Sequence, residues 1–281
     1  MASLAHRAHQ ARETAAAIKA GLGSAPQSPP VRANGSVFTT AVEQILTATT
    51  HEPGLPVLNG VRVEVSADGI VLTATDRYRL STRTLVSTRP IETDWSATVH
   101  ADDLRLAMPW TRRQHELRLS TQPGSVRFRG DDDDDAAARE CRTLAEPFPD
   151  YRLVLASLPD VRTRVLISRN ALVRSLESRQ HHRVRLHVSD ADSTVTVSSK
   201  GTAALPITAV VTGPAVELEF AVTTLYPAIS TAVGPDVMLD IARADQPVVV
   251  RSADNGDLTT LTMPVRPESH RSPRAQEGPA T

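Results

Sequence analysis

The chain has 281 residues, 40% of them apolar but only 3% aromatic, and its 31 Lys and Arg against 32 Asp and Glu leave a net charge of -1. That length exceeds one ordinary hydrophobic core, so two domains are expected, with cores of Val, Leu, Ile and Ala as in sheets backed by amphipathic helices. The composition excludes a disordered chain and a polycation, and a lone cysteine, Cys141, excludes an internal disulfide.

No apolar run approaches the roughly 20 residues of a membrane span. The first residues lack the apolar core of a signal peptide, so a cytoplasmic protein is expected. Residues 1–24 read as a helix, because Leu4, Ala8, Ala11, Ala15, Ile18 and Leu22 form a short heptad seam. Gly21, Gly23 and the Pro-rich run Ser24 to Pro30 end it, giving an N-terminal helix and linker over 1–36. A helix follows over Phe38 to Thr49 with Val42, Ile45 and Leu46 on one face. Strands Val61 to Val65 and Ile70 to Ala74 flank Ser66-Ala67-Asp68-Gly69, a hairpin turn. Next come a helical stretch from His100 to Met108 and a strand over Ser125 to Phe128.

The carboxylate run Asp131 to Asp135 reads as a solvated hairpin loop, since five adjacent side chains do not converge on one cation. Ser168 to Arg179 reads as a helix with Leu172, Val173 and Leu176 together, followed by the strand Val184 to Ser189. His181, His182 and His187 lack a Cys pair or carboxylate at zinc spacing, so no metal is expected. Thr223 to Ile229 is helical, Pro247 to Val250 is a strand, and residues 268–281 form a disordered tail.

The middle of the chain is written twice. Val61 in Val61-Arg62-Val63-Glu64-Val65-Ser66 answers Val184 in Val184-Arg185-Leu186-His187-Val188-Ser189, an offset of 184 − 61 = 123 residues. The same offset carries Val99 onto Val222 and Val126 onto Val249. Three coincidences in one register predict two copies of one α+β domain, each starting with a helix, at 37–160 and 161–267.

Three segments then resemble one family. Pro56-Val57-Leu58-Asn59-Gly60-Val61 followed by Ala74-Thr75-Asp76-Arg77-Tyr78-Arg79-Leu80-Ser81 is similar to the strand and T-D-x-x-R-L turn of the middle domain of the bacterial DNA polymerase III beta subunit, the sliding clamp. Glu146-Pro147-Phe148-Pro149-Asp150-Tyr151-Arg152 resembles its F-P-D-Y-R segment, and Thr262-Met263-Pro264-Val265-Arg266 resembles its closing M-P-x-R sequence. The resemblance covers about residues 37 to 267 and only the family's middle and last domains. It implies two repeated DNA-clamp domains, with helices packed on antiparallel sheets. Departures are Arg77 where the family has glycine, Ala156 where a proline commonly stands, and Pro267 in place of a terminal leucine.

By that resemblance a partner-peptide groove is expected at Thr75, Tyr78, Arg79, Leu80, Val248, Met263, Pro264, Val265 and Arg266, accepting short motifs of DNA polymerase and clamp-loader-type proteins. DNA-facing positions are expected at Arg105, Arg112, Arg113, Arg174, Arg179 and Arg183, holding duplex DNA without reading its sequence. No catalytic motif, phosphate loop or dinucleotide fingerprint occurs, so a non-catalytic protein without a cofactor is expected. Cys141 stands beside Arg139 and Arg142, but no partnering base is identified, so a filling role is expected. A homo-oligomer is anticipated, a trimer if a ring of six domains closes, or a dimer if the heptad seam dominates. The alternatives are a clamp-like sensor or docking module of a dimeric transcription regulator, and a monomeric peptide-binding decoy.

Overall fold

The computed structural model describes residues 29–131, 137–178, 182–253 and 256–265. The expected N-terminal helix, most of the Asp131 to Asp135 run, His181 and the tail lie outside them. The first unit runs β1 (Val31–Asn34), α1 (Gly35–Leu46), β2 (Gly60–Ser66), β3 (Gly69–Thr75), β4 (Arg79–Leu85), β5 (Trp95–His100), α2 (Ala101–Thr111), β6 (Glu116–Gln122), β7 (Ser125–Arg129) and β8 (Arg139–Leu144). A connector holding α3 (Tyr151–Ala156) leads to the second unit. That unit repeats the order with β9 (Thr163–Ser168), α4 (Arg169–Glu177), β10 (Arg183–Ser189), β11 (Thr194–Ser199), β12 (Thr202–Thr212), β13 (Val216–Ala221), α5 (Val222–Ser230), β14 (Asp236–Ile241), β15 (Val248–Ser252) and β16 (Leu258–Thr262). The fold is α+β, as expected, with a strand ahead of the first helix in each unit.

Those leading strands correct the expected start with a helix. Asn34 is extended and its Oδ1 accepts the Val37 amide at 3.0 Å, so α1 begins at Gly35 rather than Phe38. Ser168 does the same for α4, its Oγ accepting the Ala171 amide. The expected hairpin is present, with Ser66 opposite Gly69 in the β2·β3 ladder.

Among the described residues sixteen strands form one antiparallel sheet, ordered β1-β6-β7-β8-β5-β2-β3-β4-β16-β15-β14-β9-β12-β11-β10-β13. The two units join where β4 pairs with β16, Arg79 opposite Thr262 and Arg83 opposite Leu258. All four long helices lie on one side of this sheet. In the first unit Phe38, Val42, Ile45 and Leu104 pack on Val63, Leu72, Leu119 and Phe128; in the second Leu172, Leu176, Leu225 and Ile229 pack on Val165, Leu186, Val197 and Val250. Period-two alternation turns every second strand residue to these cores. Gln44 of α1 donates to the Thr231 carbonyl at the end of α5 at 2.9 Å, which closes the helix row across the unit boundary.

The opposite side of the junction carries a smaller cluster. Leu80, Val249 and Leu261 from β4, β15 and β16 are covered by Phe148, Tyr151, Leu155 and Leu158 of the connector. This shows the expected match of Val126 to Val249 to be one residue out. Val126 faces the first core, whereas Val249 faces away from the second, and its neighbours Val248 and Val250 face in.

Candidate functional site

The β3–β4 turn is built by its own side chains. The Asp76 carboxylate accepts the Tyr78 amide at 3.0 Å and the Arg79 amide at 2.7 Å, and its other oxygen takes Arg79 Nε and Nη2 at 3.0 and 2.7 Å. Thr75 Oγ1 donates to the Arg79 carbonyl at 2.7 Å. Charge-assisted bonds of this kind hold the loop in one shape, which presents the Tyr78 ring to solvent at 63% exposure. The far strand docks on the same turn, since the Met263 amide donates to the Tyr78 carbonyl at 2.9 Å.

Arg77 occupies the left-handed region at φ 77°, where a side chain other than glycine's carries a cost of about 1 kcal/mol. Its partner Glu52, at 3.7 Å and exposed, offsets little of that. Arg77→Gly is therefore expected to raise thermal stability by about 1 kcal/mol, read as a Tm increase of a few degrees in a calorimetric scan. An unchanged or lowered Tm would show that the turn bears no strain.

The connector supplies the other wall. Asp150 caps α3 by accepting the Leu153 amide at 3.1 Å. Tyr151 is buried, its ring edge-on to Phe148 with centroids 6.4 Å apart, and its hydroxyl donates to the Glu64 carboxylate on β2, which Arg152 also engages at 2.7 Å. Burial first, and then the Glu64 charge, push the Tyr151 phenol above its ordinary value, so it stays a neutral donor. Between turn, connector and β16 lies a cleft of about 180 Å³ lined chiefly by Tyr78, Leu80, Pro149, Val154, Leu261 and Met263, with Thr75, Arg77, Arg79, Tyr151 and Pro247 completing it. It is smaller than the roughly 300–1,000 Å³ of a small-molecule site and suits an apolar side chain of an extended peptide.

Of the expected groove residues, Thr75, Tyr78, Arg79, Leu80 and Met263 are brought together here. Val248 is not: it points into the second core at 1% exposure, and the adjacent Pro247 lines the cleft instead. Arg79 is spent on Asp76 and acts as a strut of the turn. Pro264 is buried beyond the cleft, Val265 has moved on to β13, its amide donating to the Glu219 carbonyl at 2.6 Å, and Arg266 lies outside the described residues. Sequence reasoning missed Pro149, Tyr151, Val154 and Leu261 as walls, although the F-P-D-Y-R segment that carries the first two of them was in view.

On the helix side, Arg105 is held by Asp102 and Thr49, both at 2.7 Å, and Arg112 by Glu43. Arg113 and Arg174 are exposed. Arg183 opens β10 and reaches Glu219, so it belongs to a strand rather than to the helix row, and Arg179 lies outside the described residues. Along this row Arg105, Arg112, Arg113, Arg169 and Arg174 are nearly balanced by Glu43, Asp102, Asp103 and Glu177. Bonds from His51, Asn59 and Arg105 hold the Asp102 carboxyl down at about 2, so it is charged at any ordinary pH. Cys141 is buried, and loss of water together with the Asp103 charge pushes its thiol up to about 12, the reverse of nucleophile activation. Among the described residues no group of three His, Cys, Asp or Glu is placed to hold a metal ion, and no helix is long and apolar enough to cross a membrane.

Residues 33–150 match the model of the DNA polymerase III beta subunit central domain. This first unit belongs to the DNA polymerase III beta sliding clamp family. The chain is also similar to the beta sliding clamp of Streptomyces coelicolor, 43% identical over 60 residues, which make up 21% of this chain and 16% of that one. The clamp of Micrococcus luteus is 41% identical over 54 residues, 19% of this chain and 17% of that one. These matches thus span less than a fifth of the curated clamps' length. Among solved structures, the clamp of Pseudomonas aeruginosa has a TM-score of 0.76 at 19% identity, over 87% of this chain and 68% of that one. The Bacillus subtilis clamp gives 0.77 at 18%, over 87% and 67%. The clamp fold therefore runs through both units of the chain.

Proposed function

We propose that this protein is a clamp-type scaffold of DNA replication, non-catalytic, that docks short extended peptides of polymerase or repair partners in the cleft at the β4·β16 junction. The observation that carries this reading is the cleft itself. Three segments far apart in sequence converge to line it with apolar side chains while Asp76 and Arg79 brace the turn through each other, an arrangement that a purely structural turn does not require. Contact with duplex DNA would fall to the helix row, where among the described residues Arg105, Arg112, Arg113 and Arg174 are exposed, the first two engaged by Asp102 and Glu43. Because that face is nearly neutral, such contact would be weak, non-specific and abolished by moderate salt. The alternative of a regulator's docking module rests on the heptad seam at residues 4 to 22, which lies outside the described residues, and no comparison favours it.

The test is an anisotropy titration of a dye-labelled extended peptide carrying Leu and Phe at alternate positions. Saturable binding is expected, weakened tenfold or more by Met263→Asp, since a charge placed in the cleft costs at least about 1.4 kcal/mol. Equal affinity in the variant would place the peptide elsewhere.

A further inference from the structure

The internal junction shows how one unit of this fold joins the next: the β8-type strand of one unit, here β16, pairs with the β4-type strand of its neighbour. The remaining strands of these types, β8 and β12, lie inside the strand order: among the described residues β8 pairs with β7 and, at Thr143 and Leu144, with β5, and β12 pairs with β11 and, at Ala209 to Thr212, with β9, neither meeting a second unit. Ladder register tells which residues take equivalent places. From the two capped helices, Val31, Leu119, Phe128 and Arg139 lie opposite one another in succession, as do Val165, Leu239, Val250 and Thr260. Arg139 therefore answers Thr260, and Glu140 and Arg142 answer Leu261 and Met263. In the other half, Val63, Leu72 and Arg83 correspond to Leu186, Val197 and Leu205, so Pro206 stands in the place of Thr84.

Four features of the internal junction are altered on β8 and β12. The Met263 amide donates across the junction to the Tyr78 carbonyl, whereas the equivalent Arg142 amide donates at 2.9 Å to Asp103 of its own unit, whose carboxylate also takes the Arg142 guanidinium at 2.8 and 2.7 Å. At the opposite end the Thr84 amide donates to the Asp257 carbonyl at 2.9 Å, and Pro206 has no amide hydrogen to offer. Leu261, sealed beneath the connector, is replaced on β8 by the exposed, charged Glu140. Finally, β12 carries a bulge where β4 runs straight: Val197 pairs with Leu205 but Ser199 with Thr202. Proline, inward-held charge and bulges are the devices by which edge strands are kept from pairing.

We infer that β8 and β12 are closed to each other, so that copies of this chain do not join through them in the way that β4 joins β16 within one copy. The inference makes no use of the cleft, and a failure of peptide binding leaves it intact. It is tested on the full chain by placing cysteines at Ala138 and Ala204, which a junction of the internal kind would bring together, and oxidising at tens of micromolar. Thr82→Cys with Thr259→Cys, opposite each other across the internal junction, is the reference pair and should close within one chain. The expected result is no interchain product from the Ala138→Cys/Ala204→Cys protein, whatever its mass by sedimentation, since a dimer held by another segment would give none either. A ladder of two and three linked chains would overturn the inference.

Discussion

Gly35→Ala should destabilise the first unit by about 2–3 kcal/mol. A Cβ at Gly35 would sit 2.3 Å from the Gln114 carbonyl oxygen and 2.4 Å from that of Thr111, both backbone atoms of the turn that ends α2. Neither can swing aside as a flexible side chain would. The α1 N-terminus would have to lift from α2, breaking the buried bond between the Thr39 and Thr111 hydroxyls at 2.8 Å and opening the contact under Phe38. Overpacking of this kind costs about 1–3 kcal/mol or more, against which the helical preference of alanine over glycine returns at most about 1. Urea unfolding reads the effect as a lower midpoint at unchanged slope. A midpoint equal to wild type would mean that the two helices do not meet as closely as described.

The second large effect is expected at Tyr151. Its ring fills the space among Leu80, Val249 and Leu261, and its hydroxyl ties the connector to Glu64. Truncating a buried aromatic to alanine typically costs about 3–5 kcal/mol. Here the loss should be local, because the connector touches neither of the two main cores. Tyr151→Ala is expected to free the segment that carries Pro149 and Val154, to speed tryptic cleavage at Arg152, and to weaken peptide binding tenfold or more while far-ultraviolet dichroism stays unchanged. Tyr151→Phe keeps the ring and leaves Glu64 with Arg152, so it should cost only about 1 kcal/mol and retain peptide binding. Identical peptide affinity for Tyr151→Ala and wild type would remove the connector from the site.

Much of this architecture was legible in the sequence for reasons that can be named. The period-two runs around Val61 and Val184 disclosed the repeat, since two sheets of the same type need the same alternation, whereas at the same offset the matches of Val99 to Val222 and Val126 to Val249 were two residues and one residue out. The turn at Thr75 to Leu80 was legible through its resemblance to the family's T-D-x-x-R-L turn, and the fold supplies the reason, since Asp76 and Arg79 close on each other. What failed were features set by parity and by long-range packing. Val248 was assigned to the cleft and Val249 matched to Val126 because alternation fixes which residues share a face, not which face is the core. The leading strands β1 and β9 escaped because each is short and paired with strands far along the chain, Val31 with Leu119, and Val165 with Leu239 and Val211. The connector residues carried no periodic signal, and only the folded chain shows that they cross the junction. Arg183 sits close in sequence to a helix end, yet the chain has already turned into β10 there.

The retained cleft and the altered edges pull in different directions. The clamp fold carries an apolar cleft beside its β3–β4 turn, while β8 and β12 differ from the strands of the internal junction. That combination describes a module that presents the cleft and touches DNA, if at all, through a nearly neutral face.

The central claim is that the cleft at the β4·β16 junction is where a partner peptide sits. Its most direct test is amide hydrogen exchange of the full chain with and without the Leu- and Phe-bearing peptide at saturating concentration. The account predicts slowed exchange confined to the Thr75–Leu80 turn, the connector around Pro149–Val154 and the Leu261–Met263 strand. Protection elsewhere, on the helix row or at the edge of β12, with those three segments unchanged, would contradict it.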